Sequence, residues 1–165
     1  MHHRVTARKH TRPRVCTGQT RWPAAIAHDQ SDLLASVLAA TPDAPPADVR
    51  LAQSHILAKL RGYQAQDAHR NPSSSSSSQP LTLQECCTLL AEHQLQCTFC
   101  HRPLLLLYPL AYEGAQWTLD RIDNSLGHTL QNVLPACLTC NLRRRRQSHH
   151  RFALKKTTYI VHRAP

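Results

Sequence analysis

The spacing of apolar residues predicts two helices in the first 70 residues. In the longer one, predicted over residues 47–66, apolar residues recur every three or four positions, as on one face of a helix. They are Val49, Ala52, Ile56, Leu60 and Tyr63. A shorter helix is predicted over residues 33–40, with Ser31 or Asp32 near its N-cap and the following prolines as its stop signal.

A serine-rich segment separates these helices from the rest of the chain. Residues 71–80 contain six consecutive serines between two prolines, which is typical of a flexible linker and predicts a domain boundary there. Just after it, Thr82-Leu-Gln-Glu85 fits a capping box and predicts a third helix that ends near Gln94. We expect Cys86 and Cys87, which lie on this helix, to be core residues.

The pattern becomes strand-like after residue 100. Residues 104–110 and 116–122 are predicted to form two short strands, with the turn near Gly114. A loop follows over residues 123–127, and Cys140 is expected to open a helix that carries the arginines after it. Helices combined with a small hairpin indicate the α+β class.

Composition narrows the expected size and the kind of partner. A chain of 165 residues with few aromatic residues suits one small domain with extensions, which would need a stabilising metal or other cross-link. The net charge is +10, and residues 1–28 and 142–165 contain no acid. This distribution favours a phosphate-bearing partner, with solvated charge runs as the alternative. No apolar run approaches the roughly 18 residues of a membrane span, so no membrane partner is expected.

The cysteines predict a metal site. Their number is odd, seven, which argues against a closed disulfide framework. Cys97 with Cys100, and Cys137 with Cys140, form two C-x-x-C pairs, and such pairs can supply four thiolates to one structural zinc. Redox-active or unpaired thiols are the alternatives, and the nearby His93 and His101 are competing ligands. Zinc thiolates indicate an intracellular, reducing compartment: nucleus, cytoplasm or an organelle, and not secretion.

The segment between the two pairs resembles a known family. Residues 120–129 read D-R-I-D-N-S-L-G-H-T, and N-V follows at 132–133 and C-x-x-C-N at 137–141. This combination resembles HNH endonucleases, especially a subset of phages and large DNA viruses with such a core between zinc knuckles. The likeness covers residues 81–146, and G-Y-Q-A-Q-D at 62–67 resembles an upstream stretch in some of these proteins.

The resemblance implies a fold, a reaction and roles for particular residues. The fold is a treble clef containing a ββα-metal finger, and the reaction is hydrolysis of DNA phosphodiester bonds assisted by Mg²⁺ or Mn²⁺. Asp120 and Asn141 would be oxygen ligands of that cation, apart from the structural zinc. Asn132 would hold the catalytic loop through hydrogen bonds to its backbone. Loop or backbone capping is the alternative role of all three.

The chain departs from the family where the general base belongs. The usual motif has a histidine after the aspartate, but this chain has Arg121, whose guanidinium cannot accept a proton from water at pH 7. Arg121 would instead bind a phosphate, and His128 or Asp123 would supply the base, with packing or a loop hydrogen bond as the alternative role of His128. Four arginines, Arg143, Arg144, Arg145 and Arg146, are expected to contact nucleic-acid phosphates; a solvated tail or a nuclear-localisation patch is the alternative.

These expectations define an organisation and two leading functions. The chain is predicted to comprise a basic disordered arm (1–30), a helical accessory segment (31–70), a Ser/Pro linker (71–80), a zinc-stapled HNH-like domain (81–146) and a basic C-terminal extension (147–165). The first function is a metal-dependent endonuclease or nickase. The second is a non-catalytic, zinc-dependent DNA- or RNA-binding module, with DNA favoured over RNA in both cases. A protein-interaction module is the third possibility.

Overall fold

The computed structural model describes residues 29–41, 44–70, 79–108, 110 and 112–161, and within them the chain is a mixture of helices and a small sheet. The helices are α1 (Gln30–Ala39), α2 (Ala47–Arg70), α3 (Leu83–Glu92), α4 (Leu138–Arg144) and α5 (His149–Val161), and the strands are β1 (Trp117–Arg121) and β2 (Val133–Cys137). The α+β class is confirmed. Most of the predicted arm at 1–30 and linker at 71–80 lies outside the described residues.

The two N-terminal helices form with the predicted buried face. The apolar positions Val49, Ala52, Ile56 and Leu60 of α2 are at most 3% exposed. The helix is longer than predicted and ends at Arg70 instead of residue 66. α1 begins earlier than predicted because its N-cap is Asp29, whose side chain accepts a hydrogen bond from the amide of Asp32.

The capping box of α3 is confirmed. The amide of Glu85 donates to the Thr82 hydroxyl oxygen over 3.2 Å, and the amide of Thr82 donates to the Glu85 carboxylate over 2.9 Å. The helix ends at Glu92, two residues before the predicted end. Cys86 and Cys87 are fully buried, as expected for core residues.

The sheet differs from the predicted hairpin. β1 pairs antiparallel with β2, with Trp117 opposite Cys137 and Arg121 opposite Val133. The prediction of a regular strand over residues 104–110 is wrong, because the described part of this leucine run contains no strand; Leu105 makes an isolated bridge to Gln116, in the segment preceding β1. Several of its side chains are buried together in the core, a packing that a straight strand with alternating faces would not give.

Side chains satisfy part of the backbone of this leucine run. The indole Nε1 of Trp117 donates to the carbonyl of Leu106 over 3.1 Å, and the amide of Leu107 donates to the side-chain oxygen of Gln30 over 2.9 Å. These bonds take the place of the ladder of a regular strand. The run therefore connects α1 to the segment that carries β1.

The helices before residue 71 share one hydrophobic core with the half of the chain that contains the two C-x-x-C pairs. α1 packs on α3, and α2 packs on both α1 and α3. The hydroxyl of Tyr63 accepts a hydrogen bond from the amide of Leu119 over 3.0 Å. Lys59 donates to the carbonyl of Trp117, and its ammonium lies 4.5 Å from the centre of the indole ring. These contacts attach α2 directly to β1.

The last helix packs back onto the first cysteine knuckle, the turn from Cys97 to Cys100; the second knuckle is the turn from Cys137 to Cys140. Phe152 of α5 meets Phe99 edge to face, with ring centres 5.0 Å apart. The segment predicted as a basic extension thus includes a helix with an apolar anchor. None of the helices in the described ranges combines the length and the apolar character that a membrane crossing requires.

Candidate functional site

Four cysteine thiols converge on one point. The Sγ atoms of Cys97, Cys100, Cys137 and Cys140 all lie within 4.8 Å of one another, and those of Cys100 and Cys137 are 3.9 Å apart. A tetrahedral zinc with bonds of about 2.3 Å requires sulfur–sulfur distances of about 3.8 Å. The cluster therefore fits a zinc ion. The six cysteines in the described residues are all free thiols, and neither His93 nor His101 belongs to the cluster.

Backbone hydrogen bonds shape the two knuckles. In the first, the amide of His101 donates to the carbonyl of Cys97 over 2.8 Å, and His101 adopts a φ of 55° to close the turn. In the second, Cys137 caps α4, and the amide of Cys140 points at its sulfur over 3.3 Å. Such amide–sulfur contacts stabilise thiolates. The amide of Thr98 donates to the carbonyl of Pro135, which joins the first knuckle to β2.

The crowding of the thiols favours a cation between them. Hydrogen bonds from the thiols of Cys137 and Cys140 hold the pKa of Cys97 far below its usual value. The pKa of Cys140 is raised in turn, first by its hydrogen bond to Cys137 and then by that to Cys97. Four thiolates cannot form together without an opposing charge, and a divalent metal supplies it.

A cleft of about 460 Å³ opens between α2, the end of β1 and the C-terminal end of α4. We call it the arginine cleft because, among the described residues, four arginines line it and Asp120 is the single acid of its lining. Its lining residues are Tyr63, Gln66, Arg70, Leu119, Asp120, Arg121, Asn124, His128, Asn141, Leu142, Arg145 and Arg146. The predicted catalytic residues Asp120, Arg121, His128 and Asn141 thus come together at one place.

The carboxylate of Asp120 is already paired within the protein. Nε of Arg144 lies 2.5 Å from one carboxylate oxygen, and Nη2 donates to the other over 3.0 Å. Burial raises the pKa of Asp120, whereas the hydrogen bond and charge of Arg144 lower it. Nη2 of Arg144 also donates to the carbonyl of Arg121 and to the side-chain oxygen of Asn124. A guanidinium therefore neutralises the acid for which the sequence predicted a divalent cation.

Arg144 stands apart from the other arginines of its run. It is 1% exposed, whereas Arg143, Arg145 and Arg146 are exposed. Its position four residues after Cys140 places it on the buried face of α4. In this structure Arg144 does not reach solvent, so the expected phosphate contacts concern its three neighbours; of these, Arg145 and Arg146 line the arginine cleft.

Arg121 is held at the end of β1. Its Nη1 donates to the carbonyl of Leu126 over 3.1 Å and lies 3.7 Å from a carboxylate oxygen of Asp67. Burial, followed by the charge of Arg70, lowers the pKa of Arg121, but a guanidinium still remains a cation at pH 7. Arg121 can therefore attract a phosphate and cannot act as the base.

His128 is bound to a residue from α2. Its Nδ1 lies 2.9 and 3.0 Å from the two carboxylate oxygens of Asp67, and its amide donates to the same carboxylate over 2.7 Å. The imidazole stacks on the ring of Tyr63, with ring centres 4.4 Å apart. Asp123, the other candidate base, is exposed, and hydrogen bonds from Ser125 lower its pKa, which weakens it as a base.

The two asparagines make mainly structural contacts. The Asn132 side chain donates to the carbonyls of Asp123 and Gly127 and accepts from the amide of Asp123, so it bridges the ends of the loop over 123–127. Asn141 donates from Nδ2 to the hydroxyl of Thr118 over 3.0 Å. The side-chain oxygen of Asn141, Oδ1, is the atom available to bind a ligand in the cleft.

The sequence-based list of site residues lacks the wall that α2 contributes. Tyr63, Gln66 and Arg70 line the cleft, and Asp67 beside them binds His128. The four residues are spaced by three, one and three positions, so they lie on one side of the helix. The G-Y-Q-A-Q-D stretch at 62–67 was the available signal for Tyr63 and Asp67. Nothing in the spacing alone connects these residues to His128, which is 61 positions away from Asp67.

Comparison with known proteins gives no match: no protein-family model, no curated protein and no solved structure corresponds to this chain. The likeness to HNH endonucleases therefore rests on the sequence motif, and the proposals below are argued from the contacts of this chain.

Proposed function

We propose that the chain is a zinc-dependent nucleic-acid-binding protein that holds a phosphate backbone in the arginine cleft. The observation that carries this proposal is the charge of the cleft. Its lining includes Arg70, Arg121, Arg145 and Arg146, and the charge of its one acid, Asp120, is offset by Arg144. A concave surface with an excess of cations attracts a polyanion.

The order of elements supports a treble-clef module of the HNH kind as the scaffold. A first cysteine knuckle precedes the antiparallel pair β1–β2, and the second knuckle lies where β2 ends and α4 begins. Metal at this point would join the hairpin to the helix that precedes Arg145 and Arg146. Zinc would thus hold the phosphate-binding side chains in place without contacting nucleic acid.

The test of binding is the salt dependence of the affinity for a short fluorescent DNA or RNA. The double variant Arg145→Gln/Arg146→Gln should weaken binding to every sequence. It should also reduce the slope of log K against log salt by about 0.9 per lost contact on duplex DNA, or about 0.7 on a single strand. Arg61→Gln is the matched control, because Arg61 is exposed on α2 and does not line the cleft.

Two results would count against the binding proposal. One is a salt slope that is equal in the wild type and in the double variant. The other is an equal loss of affinity in Arg61→Gln, which would mean that net charge and not the cleft determines binding. Circular dichroism and zinc content should be measured for each variant, so that a folding defect is recognised.

A second candidate function is Mg²⁺- or Mn²⁺-dependent hydrolysis of DNA. The observation that favours it is the position of Asp120, Asn141 and His128 on the same cleft. Cation binding would require Asp120 to release Arg144, because the carboxylate oxygens face that guanidinium. Nicking of supercoiled plasmid that needs Mn²⁺ and is lost in Asp120→Ala would support this function. Tight DNA binding without nicking would exclude it.

A further inference from the structure

Phosphate binding gives no role to one side chain of the arginine cleft. This side chain is His128, which is held by Asp67 of α2. We propose that His128 accepts the proton of a 2′-hydroxyl group of an RNA strand bound in the cleft, with Asp67 as its positioning residue, so that the protein cleaves RNA without a divalent cation. This proposal rests on the proposed binding function and adds a reaction to it.

The contacts of His128 define which ring nitrogen can act. Asp67 accepts from Nδ1, so the hydrogen of the neutral imidazole lies on Nδ1 and the lone pair on Nε2. Within the described residues Nε2 has no hydrogen-bond partner, yet it is not among the fully buried polar atoms. Since His128 lines the arginine cleft, Nε2 is the ring atom open to a ligand there.

Two further contacts fix the imidazole. Asp67 binds the backbone amide of His128 as well as the ring, and Tyr63 stacks on the face of the ring. Both come from α2, which is attached to β1 through the hydroxyl of Tyr63. A base held in one orientation and one tautomer is the requirement for proton transfer in a bound complex.

Burial and the nearby arginines together favour the neutral form of the His128 imidazole. Burial is the largest influence and lowers its pKa, and the positive charges of Arg121 and Arg70 act in the same direction. The hydrogen bond and charge of Asp67 act in the opposite direction and offset part of this effect. The imidazole is therefore unprotonated at neutral pH and ready to accept a proton.

Arginines provide the positive charge that such a reaction needs. Nη1 of Arg121 lies 3.7 Å from Asp67 and therefore next to the histidine, and Arg70 and Arg145 line the same cleft. Guanidinium groups hydrogen-bond phosphate oxygens and stabilise the charge that develops on them. Cation binding would require Asp120 to release Arg144. The reaction proposed here leaves this ion pair intact, so it needs no rearrangement of the protein.

The nature of the nucleophile selects RNA. A 2′-hydroxyl is part of the substrate and already close to the phosphorus atom, so its attack has a high effective concentration and needs no metal-bound water. Nε2 takes the hydroxyl proton, the O2′–P bond forms and the P–O5′ bond breaks. The departing O5′ takes a proton from water, and His128 returns its proton to the solvent. The products are a 2′,3′-cyclic phosphate and a 5′-hydroxyl, without oxidation or reduction.

The experiment uses the full zinc-loaded chain in buffer freed of other divalent ions, with zinc content measured before and after. The probes are an end-labelled single-stranded RNA, the DNA of the same sequence and the same RNA fully 2′-O-methylated. The expected result is cleavage of the unmodified RNA alone, with cyclic phosphate ends. RNA binding without cleavage would overturn this proposal and leave the binding function intact. Intact RNA in this buffer, with cleavage of the DNA once Mn²⁺ is added, would also overturn it, in favour of the metal-dependent reaction.

Variants separate the two residues. His128→Gln should lower the rate at least about 100-fold with binding retained, and the same purification makes it the blank for contaminating ribonuclease. Asp67→Asn should lower the rate and move the acidic limb of the pH–rate profile to lower pH, because the carboxylate that raises the pKa of His128 is lost. Asp48→Asn, an exposed aspartate at the start of the same helix, is the matched control and should change neither.

A further readout distinguishes positioning from a general effect on folding. In nitrogen-15 spectra the wild type should show His128 as the Nδ1–H tautomer, and Asp67→Asn should lose this preference. A rate that falls while the acidic limb and the tautomer stay as in the wild type would refute the positioning role of Asp67.

Discussion

The guanidinium of Arg144 closes on the carboxylate of Asp120, with Nε 2.5 Å from Oδ2 and Nη2 3.0 Å from Oδ1. Arg144 lies on the last turn of α4 and Asp120 on β1, so the pair joins the helix of the second knuckle to the sheet. The two residues are 1% and 5% exposed. Because both charges are out of water, each depends on the other for its neutralisation.

The first prediction is that Arg144→Leu destabilises the fold strongly. It leaves the buried carboxylate of Asp120 without its partner, which typically costs about 3–5 kcal/mol of unfolding free energy. Urea denaturation of the zinc-loaded protein measures the loss. The loss should shrink as the pH falls, because protonation of Asp120 removes the uncompensated charge.

Two further variants serve as controls for that prediction. Asp120→Asn combined with Arg144→Leu should recover much of the stability, since neither charge then remains. Arg143→Leu, at an exposed position of the same run, should change the unfolding free energy by less than about 0.5 kcal/mol. If Arg144→Leu costs no more than Arg143→Leu, the ion pair does not stabilise the fold.

The second prediction concerns zinc. Metal analysis should find about one zinc per chain, and Cys100→Ser should lower the zinc content and unfold the second half of the chain, because binding energy in such sites is folding energy. Cys87→Ala should keep the zinc, since Cys87 lies outside the cluster. Full zinc content in Cys100→Ser would mean that this thiol is not a ligand.

The sequence predicted the parts of the fold that local patterns encode. The cysteine spacing, the capping box at Thr82 and the periodic face of α2 each follow from residues a few positions apart. The identity of the strand that pairs with β1 does not follow from such a local pattern. β2 has only five residues and includes Pro135, which lacks an amide hydrogen and normally argues against a strand. In a two-stranded sheet every strand is an edge, so the missing donor is tolerated.

Only part of the site could be predicted from the sequence, because local motifs identify some of its residues but not the distant residues that they contact. Asp120, His128 and Asn141 came from a motif, but their partners Arg144 and Asp67 lie 24 and 61 positions away. A run of four arginines looks uniformly solvated in the sequence. Only the helical step from the buried Cys140 to Arg144 distinguishes the one that is buried.

The third prediction is that the segment containing α1 and α2 is required for the stability of the rest. A chain that begins at Gln79 would expose the face of the core now covered by Leu33, Ile56 and Leu60. We expect such a fragment to unfold without cooperativity and to bind a hydrophobic dye even when loaded with zinc. A cooperative transition at the temperature of the full chain would show that the helices are dispensable, as an accessory segment would be.

The last prediction is a loss of stability in mild acid that depends on His55. The ring of His55 meets Tyr108 edge-on, 4.9 Å between centres, and burial followed by the charge of Lys59 lowers its pKa from 6.5 to about 4. Below pH 6.5 the unfolded chain therefore binds a proton that the folded chain does not, so the unfolding free energy falls as the pH falls. Between pH 6.5 and 5 the fall should be about 1 to 2 kcal/mol, since solvent screens the partly exposed ring.

Urea denaturation at pH 7, 6 and 5, with zinc content checked at each pH, measures this fall. His55→Gln should be less stable at pH 7, because it loses the ring contact, but its stability should depend less on pH than that of the wild type. Burial also lowers the pKa values of His128 and His149, so some dependence remains in the variant. An equal pH dependence in the two proteins would contradict the prediction, because His55 would then contribute nothing to the proton balance between the folded and unfolded states.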